Sequence, residues 1–132
     1  LCADHSCETV LDTDNKFCYK ATSFETSRLI AEELGLAEEE YTVAFQSRLD
    51  NKWLTPFSDE VIEELAKKGH KRLLVFSPAF VADCLETIVE IGSEYQEIFE
   101  EHGGEEIVLV ESCNTEDTWV GGLAEWLRTH AA

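Results

Sequence analysis

The sequence predicts an α/β fold, a doubly wound parallel sheet flanked by helices. From about residue 22 onward, helical and strand patterns alternate with short connections, as they do when crossover helices join parallel strands. The chain has 132 residues, of which 44% are apolar and 29% charged, and this balance is typical of a globular domain with one compact core.

The first helix is predicted from a start signal and a stop signal. Thr22 and Glu25 have the spacing of a capping box, apolar residues follow at helical spacing, and Gly35 offers a C-terminal stop. Residues 41–45 are rich in β-branched and aromatic side chains and are typical of a β-strand.

The rest of the chain repeats this alternation. Pro56 and Ser58 open a second helix, which ends at Gly69. The elements that follow are, in order, a strand at residues 73–76, a helix from about residue 81 to 101, a strand at residues 107–110 and a last helix from about residue 115. The last helix is expected to turn three apolar side chains inward: Trp119, Leu123 and Trp126.

Residues 1–20 break the pattern. They are polar, carry cysteines and show no periodicity, so we divide the chain into a loop at 1–20 and an α/β domain at 21–132. Three strands make a small sheet, and the chain contains no Met, even at position 1. We therefore expect a fragment whose preceding strand is missing.

The polar segments after the predicted strands are expected to line one site. They are residues 46–48, 77–80 and 111–114. In open parallel sheets, ligands bind outside the carboxyl ends of the strands. The fold class thus predicts where a ligand binds, whereas the chemistry of the site depends on the side chains.

Net charge argues against some classes of partner, and cysteine content indicates a cellular compartment. The chain has 10 basic and 28 acidic residues, and its net charge of −18 disfavours nucleic acid and anionic lipid surfaces. We interpret the acidity as a solvated exterior. No apolar run approaches the roughly 20 residues of a membrane-spanning helix. Five cysteines fit reduced intracellular thiols better than secreted disulfides, so we expect a cytoplasmic protein.

A row of glutamates is the most informative single feature. Glu86, Glu90 and Glu94 recur every four residues, which places them on one face of an α-helix, and a π-type widening would align them further. A solvated acidic face is the plain alternative. Leu85 and Ile88 crowd the first carboxylate, however, so we expect it to be partly buried near the carboxyl edge of a strand. Such a row suits the movement of protons or of hard cations, which prefer oxygen ligands.

Three longer stretches are informative together. Residues 18–36 contain Cys-Tyr-Lys-Ala and Glu-Thr, residues 45–65 contain Gln-Ser-Arg and Trp-Leu-Thr-Pro, and residues 77–95 contain Ser-Pro-Ala-Phe followed by Cys-Leu-Glu-Thr. In this order, over about residues 18–126, they resemble the ferrochelatase family, whose members insert ferrous iron into a porphyrin to make haem. The resemblance implies a chelatase-like fold and a chain that is the C-terminal part of such an enzyme.

The resemblance also implies roles for individual residues. The family's active-site glutamate falls on Glu86, which would also meet the metal, and its acidic ladder falls on Glu90 and Glu94. The positions that match the porphyrin pocket are Gln46, Ser47, Arg48, Trp53, Phe80 and Cys84. Cys84 stands where many members have His, so no imidazole is implied at this point. No organic cofactor is required, and Fe²⁺ is a substrate.

The family's other essential side chain does not match anything here. It is a His in a Ser-(Ala/Phe)-His-(Gly/Ser)-(Leu/Ile)-Pro motif, and none of the four histidines, at positions 5, 70, 102 and 130, has that context. The expected partner is therefore the missing N-terminal half of the same enzyme. The chain alone is expected to be inactive.

Three cysteines near the start raise the question of a metal cluster. Some ferrochelatases hold a [2Fe-2S] cluster through four cysteines. Cys2, Cys7 and Cys18 are close in sequence but contain no C-x-x-C pair. We favour scattered thiols instead, with Cys18 and Cys84 buried as small apolar side chains.

The chemistry implied by the resemblance is the exchange of two pyrrole N–H protons for Fe²⁺. Glu86 would accept protons with a pKa raised by its partly apolar surroundings, and Glu90 and Glu94 would extend the path. Two alternatives stay open: a chelatase for another tetrapyrrole such as sirohydrochlorin, and a non-catalytic α/β binding or interaction module. The choice between protoporphyrin and coproporphyrin, and any membrane association, stay open as well.

Overall fold

The computed structural model describes residues 5–47 and 52–131. These residues form two compact units, one that ends at His70 and one that starts at Lys71. Within the described ranges, no helix is both long enough and apolar enough to cross a membrane.

Among the described residues of the first unit are two α-helices, and each ends shortly before a glycine that predicted its stop. They are α1 (Tyr19–Leu34) and α2 (Ser58–Lys67), and short 3-10 turns lie at His5–Glu8 and Glu38–Glu40. Gly35 ends α1 in the left-handed conformation, with a φ of 71°, and Gly69 follows α2 with a φ of 95°. Glycine occupies these positions because a residue with a Cβ rarely adopts this conformation. Both predicted stops are confirmed.

The start of α1 differs from the prediction. The helix begins at Tyr19, after Cys18, whose backbone is extended. The hydroxyl of Thr22 lies 3.1 Å from the carbonyl of Cys18 and 3.0 Å from that of Tyr19, inside the first turns of the helix. Glu25 pairs with Arg28 instead of reaching back to a helix start. The predicted capping box is therefore wrong.

The predicted strand at residues 41–45 is reduced to a single bridge. Phe45 pairs in parallel with Phe57: its N–H donates to the carbonyl of Pro56 at 2.9 Å, and its carbonyl accepts from the N–H of Ser58 at 3.0 Å. Only this residue of the segment is assigned a β-type partner, so the strand prediction is wrong. Both phenylalanines are buried in the core of the unit.

The second unit is built around a small parallel sheet. Its elements are, in order, β1 (Arg72–Val75), a π-helix (Glu86–Glu94), α3 (Tyr95–Glu101), β2 (Glu106–Leu109) and α4 (Asp117–His130). The two strands are parallel, with Leu73 opposite Ile107. The π-helix and α3 form the crossover between them and both contact β2. A parallel sheet flanked by helices is the predicted α/β class.

One face of the crossover helix forms the interior of this unit. Ile91, Tyr95 and Phe99 are buried, and Phe99 has no exposed surface. Gln96 fixes the same helix to the sheet: its Oε1 accepts from the N–H of Ile107 at 2.6 Å, and its Nε2 donates to the carbonyl of Glu105 at 3.1 Å. This packing and the two side-chain hydrogen bonds of Gln96 to the backbone at the start of β2 together set the position of the crossover helix relative to the sheet.

Two helix predictions in this unit need correction. The long helix predicted from residue 81 begins only at Glu86, because side-chain hydrogen bonds hold the preceding residues in a bend. The last helix begins at Asp117, and none of its described residues is buried. Trp119, Leu123 and Trp126 were predicted to point inward, but Trp126 is 57% exposed. An amphipathic pattern identifies the apolar face of a helix without showing what covers it.

Candidate active site

The loops that follow the two strands lie side by side. The chain leaves β1 through residues 77–85 and leaves β2 through residues 111–116. The N–H of Asn114 donates to the carbonyl of Val81 at 2.9 Å, which joins the two loops through their backbones. These are carboxyl ends of neighbouring parallel strands, where open α/β sheets place their ligands. Residues 46 and 47 belong to the first unit, and their share in the same site stays a prediction.

Asp83 and Asn114 join the two loops through their side chains. The backbone N–H of Asp83 donates to Asn114 Oδ1 at 2.9 Å, and Asn114 Nδ2 donates to Asp83 Oδ2 at 2.7 Å. Asp83 Oδ1 also accepts from the N–H of Ser112 at 3.2 Å. Asn114 has a φ of 46°, a conformation that Asn tolerates better than most residues.

The same carboxylate reaches the first turn of the π-helix. Thr87 Oγ1 lies 3.1 Å from Asp83 Oδ1 and accepts from the N–H of Cys84 at 3.0 Å. Thr87 is 1% exposed and Asp83 is half-buried, so the contact is buried at its Thr87 end. A hydrogen bond from the Asn114 side chain, and to a smaller extent one from the Ser112 backbone, holds the pKa of the Asp83 carboxyl below its ordinary value.

Sequence reasoning did not identify this group of residues. Asp83 and Thr87 are only four residues apart. Asp before a helical pattern is a helix start signal, so it predicts a helix start near residue 83 rather than at residue 81. Asn114 follows Asp83 by 31 residues, and no periodicity connects residues at that distance. Only the pairing of the strands brings them together.

Glu86 is the first residue of the π-helix and is exposed. The expectation that it is partly buried, with a raised pKa, is wrong for the described residues. The side chain of Cys84 and the backbone N–H of Glu86 donate hydrogen bonds that hold the pKa of the Glu86 carboxyl below its ordinary value. In this arrangement Glu86 is an ionised, solvent-facing carboxylate.

The three glutamates of the acidic row lie along the π-helix. The nine residues from Glu86 to Glu94 form a π-helix, the widened geometry that aligns side chains four residues apart more closely than an α-helix does. Glu90 is half-buried and accepts from the hydroxyl of buried Tyr95 at 3.2 Å, whereas Glu94 is exposed. Segments of π-helix are rare and frequently occur at functional sites.

Apolar side chains around Glu86 face solvent. Leu85 is 75% exposed, Ile88 57% and Val89 42%. Large apolar groups this exposed, next to one another on a single helix start, form a surface suited to another apolar surface. A carboxylate within such a surface can attract a cation, while the apolar side chains beside it can support an apolar ligand.

The other predicted pocket residues fall into two groups. Phe80 and Cys84 are half-buried in the loop before the π-helix, near Glu86 in the chain. In the first unit, Trp53 Nε1 donates to the carbonyl of Gln46 at 2.9 Å, and Ser47 Oγ donates to Gln46 Oε1 at 2.8 Å. The structure therefore brings Gln46, Ser47 and Trp53 together. Arg48 lies outside the described residues.

Of the three cysteines considered for a cluster, the structure describes Cys7 and Cys18. Cys7 is buried and Cys18 and Cys84 are half-buried, and Cys2 lies outside the described residues. Across residues 5–47 and 52–131, no group of three or more His, Cys, Asp or Glu side chains could hold a metal ion.

Comparisons with known proteins are consistent with each other. The sequence model of the ferrochelatase family matches residues 1–131. The chain is 47% identical over 116 residues to the ferrochelatase of Coxiella burnetii (strain Dugway 5J108-111), covering 87% of the chain and 33% of the relative. It is 48% identical over 115 residues to that of Bdellovibrio bacteriovorus, covering 86% and 34%. With Pseudomonas fluorescens (strain SBW25) the identity is 50% over 109 residues, covering 82% and 32%. The chain spans about a third of the length of these curated relatives.

Proposed function

The chain belongs to the ferrochelatase family, and we propose that within a longer enzyme it supplies one wall of the site where ferrous iron enters a porphyrin. In this reaction the metal-free ring loses two pyrrole N–H protons and gains Fe²⁺. The charges balance and iron keeps its oxidation state. The protein must therefore hold a flat ring, accept protons and admit a cation.

The observation that carries the proposal is the position of Glu86. It is an exposed carboxylate at the first turn of the π-helix, beside the exposed side chains of Leu85, Ile88 and Val89. A porphyrin laid on this apolar surface would bring its pyrrole nitrogens to the carboxylate. The ring would be held by burial of apolar area, at about 25 cal/mol per Å².

Binding of the ring would also prepare Glu86 to accept a proton. In the open site, hydrogen bonds from Cys84 and from its own backbone keep the pKa of Glu86 low, so that the carboxylate is ionised. A porphyrin that covers it would remove water and raise that pKa, because desolvation disfavours the charged form. Glu86 would then take a pyrrole proton as the ring closes the site.

Glu90 and Glu94 would carry protons or cations between Glu86 and solvent. Successive carboxylates are four residues apart on one π-helix, and water can bridge polar groups that do not touch directly. Glu90 is held by the hydroxyl of Tyr95, whereas Glu94 is exposed at the outer end. A hydrogen-bonded Glu90 followed by an exposed Glu94 suits a path along which protons leave for solvent.

The remaining assignments complete the proposed enzyme. We propose that the porphyrin contacts Gln46, Ser47, Arg48, Trp53, Phe80 and Cys84, and that Glu86 meets the incoming iron. The second half of the site would come from the rest of the enzyme, which the relatives' greater length supports. A cytoplasmic location fits the odd number of cysteines.

Spectroscopy on a full-length enzyme that contains this chain tests the proposal. Metal-free protoporphyrin and coproporphyrin are titrated in turn, and Fe²⁺ is then added without oxygen. We expect a saturable absorbance shift with at least one ring, followed by replacement of the metal-free spectrum by that of haem. The 132-residue chain alone should give no insertion above the uncatalysed rate.

Other outcomes would favour other functions. A binding module would give the saturable shift without insertion, and an interaction module would give neither. Iron insertion into sirohydrochlorin but not into either porphyrin would identify a chelatase for another tetrapyrrole. Any of these three results contradicts the proposed function.

A further inference from the structure

We propose that Asp83 and Asn114 form a positioning clamp that sets the place of Glu86 by fixing the start of the π-helix to the loop after β2. This inference rests on the proposed function of Glu86. Neither residue is assigned to contact the porphyrin or the iron, and their action is through the backbone between residues 83 and 87.

The clamp is reciprocal and spans two separate loops. Asn114 Oδ1 accepts from the backbone N–H of Asp83, and Asn114 Nδ2 donates to Asp83 Oδ2, at 2.9 and 2.7 Å. The N–H of Ser112 gives Asp83 a third contact with the loop, at 3.2 Å. A carboxylate that accepts several hydrogen bonds is held more strongly than a neutral group, because its donors act on a charge.

The clamp extends to Glu86 through Cys84 and Thr87. Thr87 Oγ1 lies 3.1 Å from Asp83 Oδ1 and accepts from the N–H of Cys84, whose carbonyl in turn accepts from the N–H of Ile88. Glu86 is the first residue of the π-helix and lies in the chain between Cys84 and Thr87, the two residues that these contacts hold. The position of Glu86 relative to the carboxyl end of β2 thus depends on the pair at its base.

The geometry favours a positioning role over a chemical one. Both oxygens of the Asp83 carboxylate already accept hydrogen bonds from protein groups, Oδ1 from Ser112 and Oδ2 from Asn114. Thr87, the link to the helix, is 1% exposed and has no access to a substrate. A carboxylate occupied in this way is suited to holding a loop rather than to exchanging protons.

A reciprocal exchange of the two side chains tests the clamp in the full-length enzyme. Asp83→Asn alone places two amide donors opposite each other, and Asn114→Asp alone places two carboxylates opposite each other. In the double variant, the new amide at 83 can donate to the new carboxylate at 114, while the carboxylate still accepts from the N–H of residue 83. Every hydrogen bond of the clamp has a partner again.

We expect each single variant to lower kcat for iron insertion by roughly 10- to 100-fold, since a misplacement of about 1 Å can cost 10²-fold. The KM for porphyrin should change little, because the apolar support is intact. The double variant should recover most of kcat, giving a large coupling in the double-mutant cycle. Asp117→Asn, at an exposed position at the start of α4, is the matched control and should behave as the parent.

Two further measurements separate the possible failures. Asn114→Gly removes the side chain while allowing the positive φ, so it tests the clamp if the charged variants fold poorly. Hydrogen exchange at the amides of Cys84 and Ser112 reports the clamp without any turnover, and should quicken in the single variants and slow again in the double variant.

Recovery in the double variant together with restored exchange protection supports the clamp. A double variant that is no more active than the singles overturns it, and would mean that the carboxylate of Asp83 acts chemically. Unchanged exchange in the single variants also overturns it. Failure of the parent enzyme to insert iron would contradict the proposed function instead, and the exchange data would still decide the clamp.

Discussion

The ring of Phe99 occupies the space that the absent side chain of Gly104 leaves open. Phe99 is fully buried, and the N–H of Gly104 donates to the carbonyl of Phe99 at 2.8 Å as the chain turns from α3 toward β2. A Cβ built on Gly104 would overlap three atoms of the ring. At the end of α3, the crossover that carries the acidic row therefore packs against the backbone of Gly104, which has no side chain.

Gly104→Ala should lower the melting temperature of the full-length enzyme. The added methyl group forces the buried ring or the turn to move, and overpacking of this kind costs about 1–3 kcal/mol. Gly121→Ala is the matched control, because Gly121 lies within α4 with no neighbouring atom near the added Cβ. There the change should be neutral or stabilising, since Ala favours a helix over Gly. Equal effects at the two positions would contradict the packing described here.

The ion pair between Lys20 and Glu8 provides a second stability prediction. The Lys20 side chain is 7% exposed and its Nζ lies 2.5 Å from Glu8 Oε1. Glu8→Gln leaves the ammonium group buried without its countercharge, and breaking a buried pair from one side typically costs about 3–5 kcal/mol. Because Glu8 itself is 35% exposed, the expected loss lies toward the lower end.

Lys20→Met supplies the comparison for that variant. It removes the buried charge and keeps an apolar stem, and it leaves Glu8 near solvent. Thermal unfolding should therefore show a smaller loss for Lys20→Met than for Glu8→Gln. The reverse order would show that the ion pair is not what orders the segment before α1.

The Asp83 carboxyl gives a pH-dependent prediction. Hydrogen bonds from Asn114 and Ser112 lower its folded-state pKa below the ordinary 3.8, so its contribution to stability is present above that value and is lost as the pH falls through the lower folded-state pKa. The difference in melting temperature between the parent and Asp83→Asn should be largest near neutral pH and shrink below about pH 4. A difference that grows on acidification would contradict the sign of the shift.

Much of the local structure could be predicted from single residues. Gly35 and Gly69 end their helices as expected, because a positive φ depends on the residue itself. The row Glu86, Glu90 and Glu94 lies on one π-helix, because its spacing is also a local property. Both strands of the sheet were predicted within one residue of their bounds.

The errors arise where a residue depends on distant neighbours. Thr22 has a cap sequence, but the helix starts earlier and its hydroxyl bonds inside the first turns. Trp126 belongs to an apolar stripe whose covering, if any, the pattern does not encode. The pairing of Asp83 with Asn114 arises only when β1 and β2 align, so no local signal reveals it.

The exposed apolar surface beside Glu86 leads to a prediction about porphyrin affinity. Leu85 is 75% exposed, and Leu85→Ala removes apolar area that the ring would cover. We expect weaker porphyrin binding by about 1–2 kcal/mol, roughly a factor of 5 to 30, from area loss. Leu34→Ala is the matched control, because Leu34 is 67% exposed at the end of α1. Fluorescence titration of both variants checks this, and equal affinities would place the ring elsewhere.

Turnover and porphyrin affinity of Glu86→Gln in a full-length enzyme, measured beside Glu90→Gln and Glu94→Gln, test the role of Glu86. Gln keeps the shape of the side chain but cannot accept a proton, and a general base typically contributes about 10²- to 10⁴-fold. We predict that Glu86→Gln loses turnover in this range with porphyrin affinity retained, and that the other two variants lose less, because water or a neighbouring carboxylate can bridge a gap in a relay. Near-normal turnover in Glu86→Gln, or a loss of porphyrin binding as severe as the loss of turnover, would contradict the assigned role.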